Sequence, residues 1–474
     1  MKSLDFYNLI RDSFPFIPTF KQDLVLQNLS NFVLDKSNDK IFLLKGYAGT
    51  GKTSLIASLE KNLWKIKKSS VLLAPTGRAA KVISNYSSNE AQTIHKKIYV
   101  PRTDKNGKTS FVLGFNKHKN SIFIVDESSM ISGKSNHYNL FGSGVLLDDL
   151  IQYVYSGFQC KILFIGDTAQ LPPIEYNLSP ALNVDFLELN FKKNVIEFEL
   201  DEVVRQEQNS GILFNATLLR SAISLNNLKS FKFELDQYVD IVKLTDGQDI
   251  LDELNDSYSI HGNDETTFIV RSNKRANLYN QQIRSRVLFK DHEIESGDYL
   301  MIVKNNYFWL KPSTEAGFIA NGDIIEILEI YNIKDLYDFR FAEVKIRLVD
   351  YPNMKPVDTV IMLNTLSLET ASLSYTESNR LYQNILLDYE HEKSSYKKFL
   401  AIKKNKYLNA LQVKFAYAIT CHKSQGGQWN NVFVEKPYLP NGIDEDYLRW
   451  LYTAITRAKK KLFLIGFEND FFED

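Results

Sequence analysis

Residues 46–53 read GYAGTGKT, and this stretch decides which fold the chain can adopt. It fits the pattern G-x-x-x-x-G-K-[ST] and stands between an apolar, strand-like run at 41–44 and a helix-like run at 54–64. In such a loop, successive backbone N–H groups turn inward to hold phosphate oxygens, and the following helix adds its positive dipole end. A chance match in a Gly-containing loop is the alternative, and the flanking strand and helix argue against it. The stretch therefore predicts nucleotide binding on an α/β fold.

The residue types in this loop indicate how a nucleotide would be held. Lys52 is expected to contact the β and γ phosphates of ATP, and the Thr53 hydroxyl is expected to bind Mg²⁺. The glycines permit the tight turn of the backbone. The predicted contacts within the loop are Gly46, Ala48, Gly49, Thr50, Gly51, Lys52, Thr53 and Ser54.

Two further segments supply the groups that hydrolysis needs beyond a phosphate-binding loop. The run SIFIV at 121–125 is typical of a buried parallel strand, and Asp126 and Glu127 follow at its carboxyl end, where open α/β sheets bind ligands. We expect Asp126 to hold the metal through water and Glu127 to be the base for the attacking water. A solvated acidic pair is the alternative. A second strand-like run at 161–165 precedes Gln170, which we expect to sense the γ-phosphate.

The composition of the 474 residues is typical of a globular protein with more than one lobe. The 57 basic and 57 acidic residues balance, which argues against coating nucleic acid by bulk charge but leaves a local basic channel open. Cys160 and Cys421 cannot form a disulfide framework or a zinc site alone. Asp5, Arg11 and Asp12 interrupt the start, where a secretion signal would be apolar. We therefore expect a cytoplasmic protein with no membrane partner.

Nine short segments resemble, in order, the motifs of the RecD-like group of superfamily 1 DNA helicases. Each segment is weak evidence alone, but the series extends over nearly the whole chain. The segments are PTFKQDLVLQ (18–27), GYAGTGKTS (46–54), LAPTGRAAK (73–81), AQTIHK (91–96), VDESSM (125–130), GDTAQLPP (166–173), VVRQ (203–206), ITCHKSQGGQW (419–429) and LYTAITRAK (451–459).

The resemblance implies an α/β fold of two RecA-like P-loop motor lobes, each a parallel sheet with helices on both faces. We predict the first lobe at 1–200, with a β-hairpin inserted at 96–120. The second lobe is predicted at 201–290 and 412–474. Residues 291–411 are expected to form an insertion with a β-rich, barrel-like part followed by a helical part.

The resemblance also implies roles for three residues of the nucleotide site. Gln22 matches the glutamine that reads the adenine edge, and Arg205 and Arg457 match two arginines of the second lobe that meet the γ-phosphate. A guanidinium that spans two phosphate oxygens stabilises charge that builds in the transition state. A surface ion pair is the alternative for either arginine. The predicted catalytic residues are Lys52, Asp126, Glu127, Gln170, Arg205 and Arg457.

Polar residues of three motifs resemble the family's contacts with the phosphates of a single strand. Hydroxyl, imidazole and ammonium donors position a strand without reading its sequence. A core histidine is the alternative for His95. The lysines of the basic run at 393–406 are a further candidate contact with DNA phosphates, and a solvated helix face is the alternative for that run. The predicted DNA-binding residues of these motifs are Thr76, Thr93, His95, Thr420, His422, Lys423 and Ser424.

The turn sequence DKNGK at 104–108 predicts a β-hairpin. In the RecD-like family a hairpin inserted at this point acts as the pin that splits the duplex. Phe111 or Tyr99 would supply the surface for the last base pair, because base–aromatic stacking tolerates any sequence. A surface hairpin with packed cross-strand aromatic residues is the alternative.

Together these features predict an ATP- and Mg²⁺-dependent DNA helicase that moves on single-stranded DNA and opens fork DNA. Polarity of 5′ to 3′ is implied by the resemblance alone. One alternative is a single-strand translocase or remodeller without strong unwinding, or one that acts on RNA. Another is a small-molecule kinase, which would leave Gln170, Arg205 and the 420–424 cluster unexplained. Protein partners stay open, and a monomer is compatible with the sequence.

Overall fold

The structure is a computed structural model that describes residues 1–87, 89–103, 109–134, 141–202, 210–225, 231–311, 314–440 and 442–473. The fold contains two parallel α/β sheets, one closed barrel and one isolated hairpin. Short 3₁₀ turns lie at Trp64–Ile66, Ser128–Met130, Pro180–Leu182, Leu363–Leu366 and Asn469–Phe471, and a π-helical turn lies at Ile283–Val287.

The first lobe is an α/β unit within residues 1–200. Its strands are β1 (Lys40–Gly46), β2 (Ser69–Ala74), β3 (Gln92–Thr93), β4 (Tyr99–Thr103), β5 (Thr109–Leu113), β6 (Ser121–Val125), β7 (Lys161–Gly166) and β8 (Asn194–Leu200). Its helices are α1 (Ser3–Asp12), α2 (Phe20–Leu34), α3 (Lys52–Leu63), α4 (Gly77–Tyr86), α5 (Ile94–Ile98), α6 (Leu146–Ser156) and α7 (Val184–Phe191). Six strands form one parallel sheet in the order β3-β2-β6-β7-β1-β8, and β4 pairs with β5 as a separate antiparallel hairpin.

The central strands of this sheet are apolar because helices cover both of its faces. Every residue of β6 and of β7 is buried. One core contains Leu59 of α3, and the core on the other face contains Leu147 of α6. Lys161 is buried in β7 and donates from Nζ to the Phe32 carbonyl at 2.8 Å, and burial lowers the pKa of this lysine to about 8. The sheet is therefore buried on both faces, and its strand ends carry the loops described below.

The remainder of the chain folds as a second α/β lobe interrupted by a barrel. The strands are β9 (Ile241–Leu244), β10 (Thr266–Val270), β11 (Tyr299–Ile302), β12 (Ile324–Leu336), β13 (Phe339–Leu348), β14 (Val357–Met362), β15 (Leu411–Phe415), β16 (Ala418–Thr420), β17 (Trp429–Glu435) and β18 (Ala458–Ile465). The helices are α8 (Gly211–Ser224), α9 (Gly247–His261), α10 (Asn273–Gln282), α11 (Tyr375–Leu387), α12 (Ser395–Lys403), α13 (Cys421–Ser424) and α14 (Glu445–Ile455).

The second lobe has a five-stranded sheet in the order β16-β10-β17-β18-β9, and each neighbouring pair is parallel. Strands β11 to β15 close the barrel. The predicted return to the second lobe at 412 falls inside β15, because Leu411 and Val413 point into the barrel core and the lobe's own sheet resumes at β16. The α/β class with two parallel sheets and a barrel-like insertion is confirmed.

The helical part of the insertion packs on the barrel. Ile385 of α11 and Ile402 of α12 share a core with Phe341 of β13. In the basic run beside α12, Lys406 pairs with Glu343 at 2.8 Å. No helix within the described ranges has the length and apolar character needed to cross a bilayer.

Candidate nucleotide and single-strand site

The phosphate-binding loop has the backbone geometry that its glycines predict. Gly49 and Gly51 have φ values of 74° and 81°, in the left-handed region that favours glycine. A side chain at Gly46 would come within 3.0 Å of Thr50 Oγ1. Lys52 Nζ donates to the carbonyl oxygens of Gly46 at 2.7 Å and Tyr47 at 2.6 Å, which holds the ammonium group inside the loop. The ammonium group of Lys52 therefore lies within the loop, in a position to bind an anion.

A cleft of 410 Å³ lies between the two lobes and is open to this loop. It lies at the carboxyl ends of β1, β6 and β7, where parallel sheets bind ligands. The first lobe contributes its phosphate-binding loop from Tyr47 to Ser54, and also Asp126, Glu127, Gly166, Asp167 and Gln170; the second contributes Ser210, Ile212, Leu213, Gln428, Thr456, Arg457, Ala458 and Lys459. The cleft thus brings together the predicted loop, both carboxylates, Gln170 and Arg457.

The two carboxylates after β6 differ in environment. Burial, assisted by the neighbouring charge of Glu127, raises the pKa of Asp126 to about 6. Asp126 Oδ1 also accepts from the Glu127 N–H at 2.8 Å. Glu127 has φ of 50°, a left-handed conformation that costs free energy in a residue with a side chain and is concentrated at functional sites. This turn aims the Glu127 carboxylate across the cleft at the second lobe.

The oxygen donors in the cleft fit a magnesium ion held mainly by a nucleotide. Thr53 and Asp126 line the cleft together and also line a smaller adjoining cavity. A hydroxyl and a carboxylate are the hard oxygen ligands that Mg²⁺ binds, with phosphates and water completing the shell. Within the described parts of the chain, no three His, Cys, Asp or Glu residues form a metal cage of their own.

Gln170 lies in a segment that we call the sensor loop, residues 167–171. Its side chain is buried, lines the cleft, and has an Oε1 atom with no hydrogen-bond partner in the described structure. A buried amide oxygen without a partner costs free energy unless a ligand or water reaches it. That unmet requirement fits a residue that faces a bound nucleotide and its attacking water.

Arg457 reaches the cleft from the second lobe. The residue is 3% exposed, and its Nη1 lies 4.0 Å from Glu127 Oε1. Nε donates to the Thr453 carbonyl at 2.9 Å and Nη2 to Thr456 Oγ1 at 3.1 Å, which fixes the plane of the group. Arg205, the other predicted arginine, lies outside the described residues. Arg457 is thus an ordered cation placed beside the predicted base.

Gln22 lies behind the phosphate-binding loop, and both the oxygen and the nitrogen of its side-chain amide form hydrogen bonds. Oε1 accepts from the Thr19 N–H at 3.0 Å and completes a capping box at the start of α2. Nε2 donates to the Thr50 carbonyl at 3.0 Å. This geometry favours a role in positioning the loop; contact with adenine stays a prediction.

A second cavity, of 430 Å³, lies beside the 420–424 segment. This cavity is lined by three of the predicted strand contacts, Thr420, His422 and Lys423. Lys423 Nζ also donates a hydrogen bond to Asn321 Oδ1 of the barrel. Burial lowers the pKa values of both His422 and Lys423. Ser424 does not face this cavity: it is fully buried and donates to the Cys421 carbonyl at 2.8 Å, because it closes the short helix α13.

Lys414 is a cavity residue that the sequence motifs miss. It lies on barrel strand β15 and lines the same cavity as Thr420, and its Nζ donates a hydrogen bond to the Leu368 carbonyl. Burial lowers the pKa of Lys414 to about 8. The period-two pattern of LQVKF gives one clue, because it places Lys414 on the face opposite the barrel core. Only the closed barrel brings that face against the second lobe.

The predicted contacts of the first lobe lie at helix starts. Thr76 Oγ1 accepts from the Ala79 N–H at 3.2 Å and caps α4, and Thr93 caps α5 in the same way. A side chain at Gly426 would lie 3.1 Å from Thr76 Oγ1, so this hydroxyl of the first lobe stands beside Gly426 of the second lobe. Gly426 lies two residues beyond the 420–424 segment.

The hairpin aromatic residues are packed. The Phe111 ring lies 4.8 Å from Phe141 and 4.6 Å from Tyr307, between the hairpin and the barrel. Tyr99 is buried and donates to Asp149 at 2.7 Å. The half-buried His95 ring lies 5.7 Å from the Tyr99 ring and meets the Phe141 ring edge-on at 5.1 Å, and burial lowers the pKa of His95 to about 4. The turn at 104–108 lies outside the described residues.

Comparison with known proteins agrees with this arrangement. Residues 31–222 match the AAA domain family, and residues 415–465 match the UvrD-like helicase C-terminal domain family. The ATP-dependent DNA helicase dda of enterobacteria phage T4 is 26% identical over 479 residues, which cover 93% of this chain and 98% of that protein. The RecBCD enzyme subunit RecD of Buchnera aphidicola is 24% identical over 490 residues, which cover 91% of this chain and 71% of RecD.

Solved structures align over a similar extent. The Pif1 helicase from Bacteroides, in complex with ADP-AlF3 and single-stranded DNA, aligns over 97% of this chain and 95% of its own at 15% identity, with a TM-score of 0.44.

The two-lobed fold, the phosphate-binding cleft and the paired domain families define an ATP-hydrolysing DNA helicase of superfamily 1. The sequence is similar to that of dda over nearly the full length of both chains and to 71% of the length of RecD, a similarity that supports a helicase of the RecD-like type.

Proposed function

We propose that this chain moves along single-stranded DNA from 5′ to 3′ and unwinds duplex DNA at a fork, using ATP with Mg²⁺. The observation that carries the proposal is the approach of Arg457, from the second lobe, to Glu127 beside the phosphate-binding loop of the first. Because the two groups belong to different lobes, hydrolysis requires a closed cleft. The same closure sets Thr76 beside Gly426, two residues beyond the 420–424 segment, so one motion would link the nucleotide and the strand.

The residues of the cleft divide the chemical work. Lys52 and the backbone N–H groups of the loop bind phosphate, and Thr53 and Asp126 would hold Mg²⁺, which would neutralise phosphate charge. Glu127 accepts a proton from the attacking water, which Gln170 orients through its free Oε1. Arg457 stabilises the charge that builds on the γ-phosphate oxygens.

The strand side of the proposal rests on the 430 Å³ cavity and on Thr76. Lys414, Lys423 and Arg271 place three cationic groups around that cavity. Each phosphate contact adds affinity and steepens the dependence of binding on salt. Polarity of 5′ to 3′ comes from the RecD-like relationship.

A second candidate is a single-strand translocase or remodeller without strong unwinding. Phe111 favours it, because its ring packs against Phe141 and Tyr307 instead of standing free for a base pair. The hairpin would then brace the barrel against the first lobe.

The experiment that tests the proposal measures the ATPase rate alone, with single-stranded DNA and with single-stranded RNA. We expect strong stimulation by DNA, followed by unwinding of duplexes that carry a 5′ tail and not of those that carry a 3′ tail. Equal stimulation by RNA would contradict the choice of DNA. Stimulation without unwinding on either tail would favour the second candidate, and the absence of stimulation would contradict both.

A further inference from the structure

The side chain of Tyr452 joins the two lobes at the nucleotide cleft. It belongs to α14 of the second lobe and is 1% exposed. Its hydroxyl accepts from the Ala48 N–H at 3.0 Å and donates to Asp167 Oδ2 at 2.7 Å. Ala48 lies in the phosphate-binding loop and Asp167 begins the sensor loop. One buried oxygen atom of the second lobe thus connects two nucleotide-facing segments of the first.

The direction of these two bonds is fixed by chemistry. Burial, assisted by the charge of Asp167, raises the pKa of Tyr452 well above its usual value, so the phenol keeps its proton at neutral pH. A phenol has one proton to donate, and here Asp167 takes it, while a lone pair receives the Ala48 N–H. Asp167 Oδ1 accepts in turn from the Ala169 N–H at 2.9 Å. A continuous series of bonds therefore runs from the phosphate-binding loop into the sensor loop.

Two neighbouring contacts hold the far end of the sensor loop to the second lobe. Thr453 Oγ1 accepts from the Leu171 N–H at 2.8 Å, and Gln425 Nε2 donates to the Leu171 carbonyl at 2.7 Å. All of these groups are buried. Gln425 directly follows the 420–424 segment that lines the predicted strand cavity. Gln170, with its free Oε1, is thus held between Asp167 and Leu171, and both are bonded to the second lobe.

We propose that Tyr452 is a positioning residue that couples the phosphate-binding loop and the sensor loop to strand binding by the second lobe. The inference rests on the proposed function, since it assigns a route by which the strand controls hydrolysis. When the cleft closes, the Tyr452 hydroxyl aligns Asp167, and with it Gln170, against the phosphate-binding loop. When the lobes separate, both bonds of the hydroxyl are lost together.

The test compares two tyrosine-to-phenylalanine variants of one helix in the full chain. Tyr452→Phe removes a hydroxyl that makes two bonds across the lobes. Tyr447→Phe removes one that is equally buried but has no hydrogen-bond partner in the described structure. We expect Tyr452→Phe to lower the ratio of DNA-stimulated to basal kcat about tenfold, with KM for ATP changed less than about twofold. Tyr447→Phe should keep the wild-type ratio.

Each outcome bears on the proposal. A wild-type ratio in Tyr452→Phe, or an equal loss in Tyr447→Phe, would overturn the role of Tyr452 and leave the helicase function standing. A wild-type chain that DNA does not stimulate would overturn both proposals. If Tyr452→Phe does not fold, Asp167→Asn decides, because it weakens the same bond from the other side and should lower the same ratio; an unchanged ratio there would refute the coupling.

Discussion

Arg457 Nη1 and Glu127 Oε1 lie 4.0 Å apart, although the two residues belong to different lobes and are separated by most of the chain. The arginine is buried and its plane is fixed by Thr453 and Thr456. The glutamate is held in a left-handed turn. With the roles proposed for Arg457 and Glu127, hydrolysis requires that the cleft be shut.

Replacement of Arg457 should therefore impair hydrolysis far more than strand binding. We expect Arg457→Ala to lower DNA-stimulated kcat about 10³-fold, since a charged group on the γ-phosphate stabilises only the transition state. Arg340→Ala, which removes an exposed barrel arginine paired with Glu293, is the matched control and should keep wild-type activity. Steady-state ATPase assays with and without DNA would decide; an equal loss in both variants would contradict the assignment.

Lys52→Ala should abolish hydrolysis and leave single-strand affinity largely intact. The ammonium group is held in the phosphate-binding loop by the Gly46 and Tyr47 carbonyls, away from the strand cavity. ATPase assays and fluorescence anisotropy with a labelled oligonucleotide measure the two properties separately. An ATPase rate near that of the wild type would mean that the loop is not the hydrolytic site.

Lys414 should make strand binding depend on pH in a range where ordinary lysines stay charged. Its pKa is lowered to about 8, so the cavity loses a positive charge as pH rises through that value, and single-strand affinity should fall several-fold between pH 7 and 9. Lys414→Met should flatten this dependence. The matched control is Lys232→Met, an exposed lysine outside the cavity. If Lys414→Met titrates as the wild type does, another group carries the effect.

The same residue links pH to stability, with a definite sign. Between about pH 8 and the usual lysine range near 10.5, the unfolded chain holds a proton on Lys414 that the folded chain has lost. The contribution of Lys414 to the free energy of unfolding should therefore rise with pH over this window. Urea denaturation of the wild type and Lys414→Met at pH 7.5 and 9.5 isolates that contribution; a difference between wild type and variant that falls with pH would contradict the lowered pKa.

Phe111→Ala should separate unwinding from ATP hydrolysis. The ring joins the hairpin to the barrel through Phe141 and Tyr307, so its loss should loosen the hairpin without touching the nucleotide cleft. We expect unwinding to fall several-fold while single-strand-stimulated ATPase changes little. Phe115, which follows the hairpin and is 81% exposed, provides the control variant Phe115→Ala. If unwinding and ATPase fell together in Phe111→Ala, the pin hypothesis would lose its basis.

Local sequence patterns predicted the parts of this protein that depend on neighbours in the chain. The glycines of the phosphate-binding loop, the apolar strand before Asp126 and the turn-bounded strands of the barrel all follow from local spacing. Parallel sheets then bring their strand ends to one edge, which is why Asp126, Glu127 and Gln170 could be grouped in advance.

The other features of the site depend on contacts between segments that are far apart in the sequence, and local sequence patterns do not predict such contacts. Ser424 was predicted as a strand contact, but the short helix it closes turns its hydroxyl inward. Lys414 was missed because its cavity is built from a barrel strand and the second lobe together. Tyr452 lies in the motif LYTAITRAK, but the motif assigned it no role, because its two hydrogen bonds exist only once the lobes are in contact.

The two ends of the barrel leave the second lobe side by side. Leu300 of β11 pairs directly with Phe415 of β15, and the Ala416 N–H donates to the Tyr299 carbonyl at 3.0 Å. Beyond this junction, β10 and β16 lie next to one another in the sheet, with Phe268 opposite Ala418. A host domain tolerates an insertion of this kind, because the strands of its own sheet still pair with one another. The insertion thus begins and ends at adjacent strands, and the sheet of the second lobe is complete without any strand of the barrel.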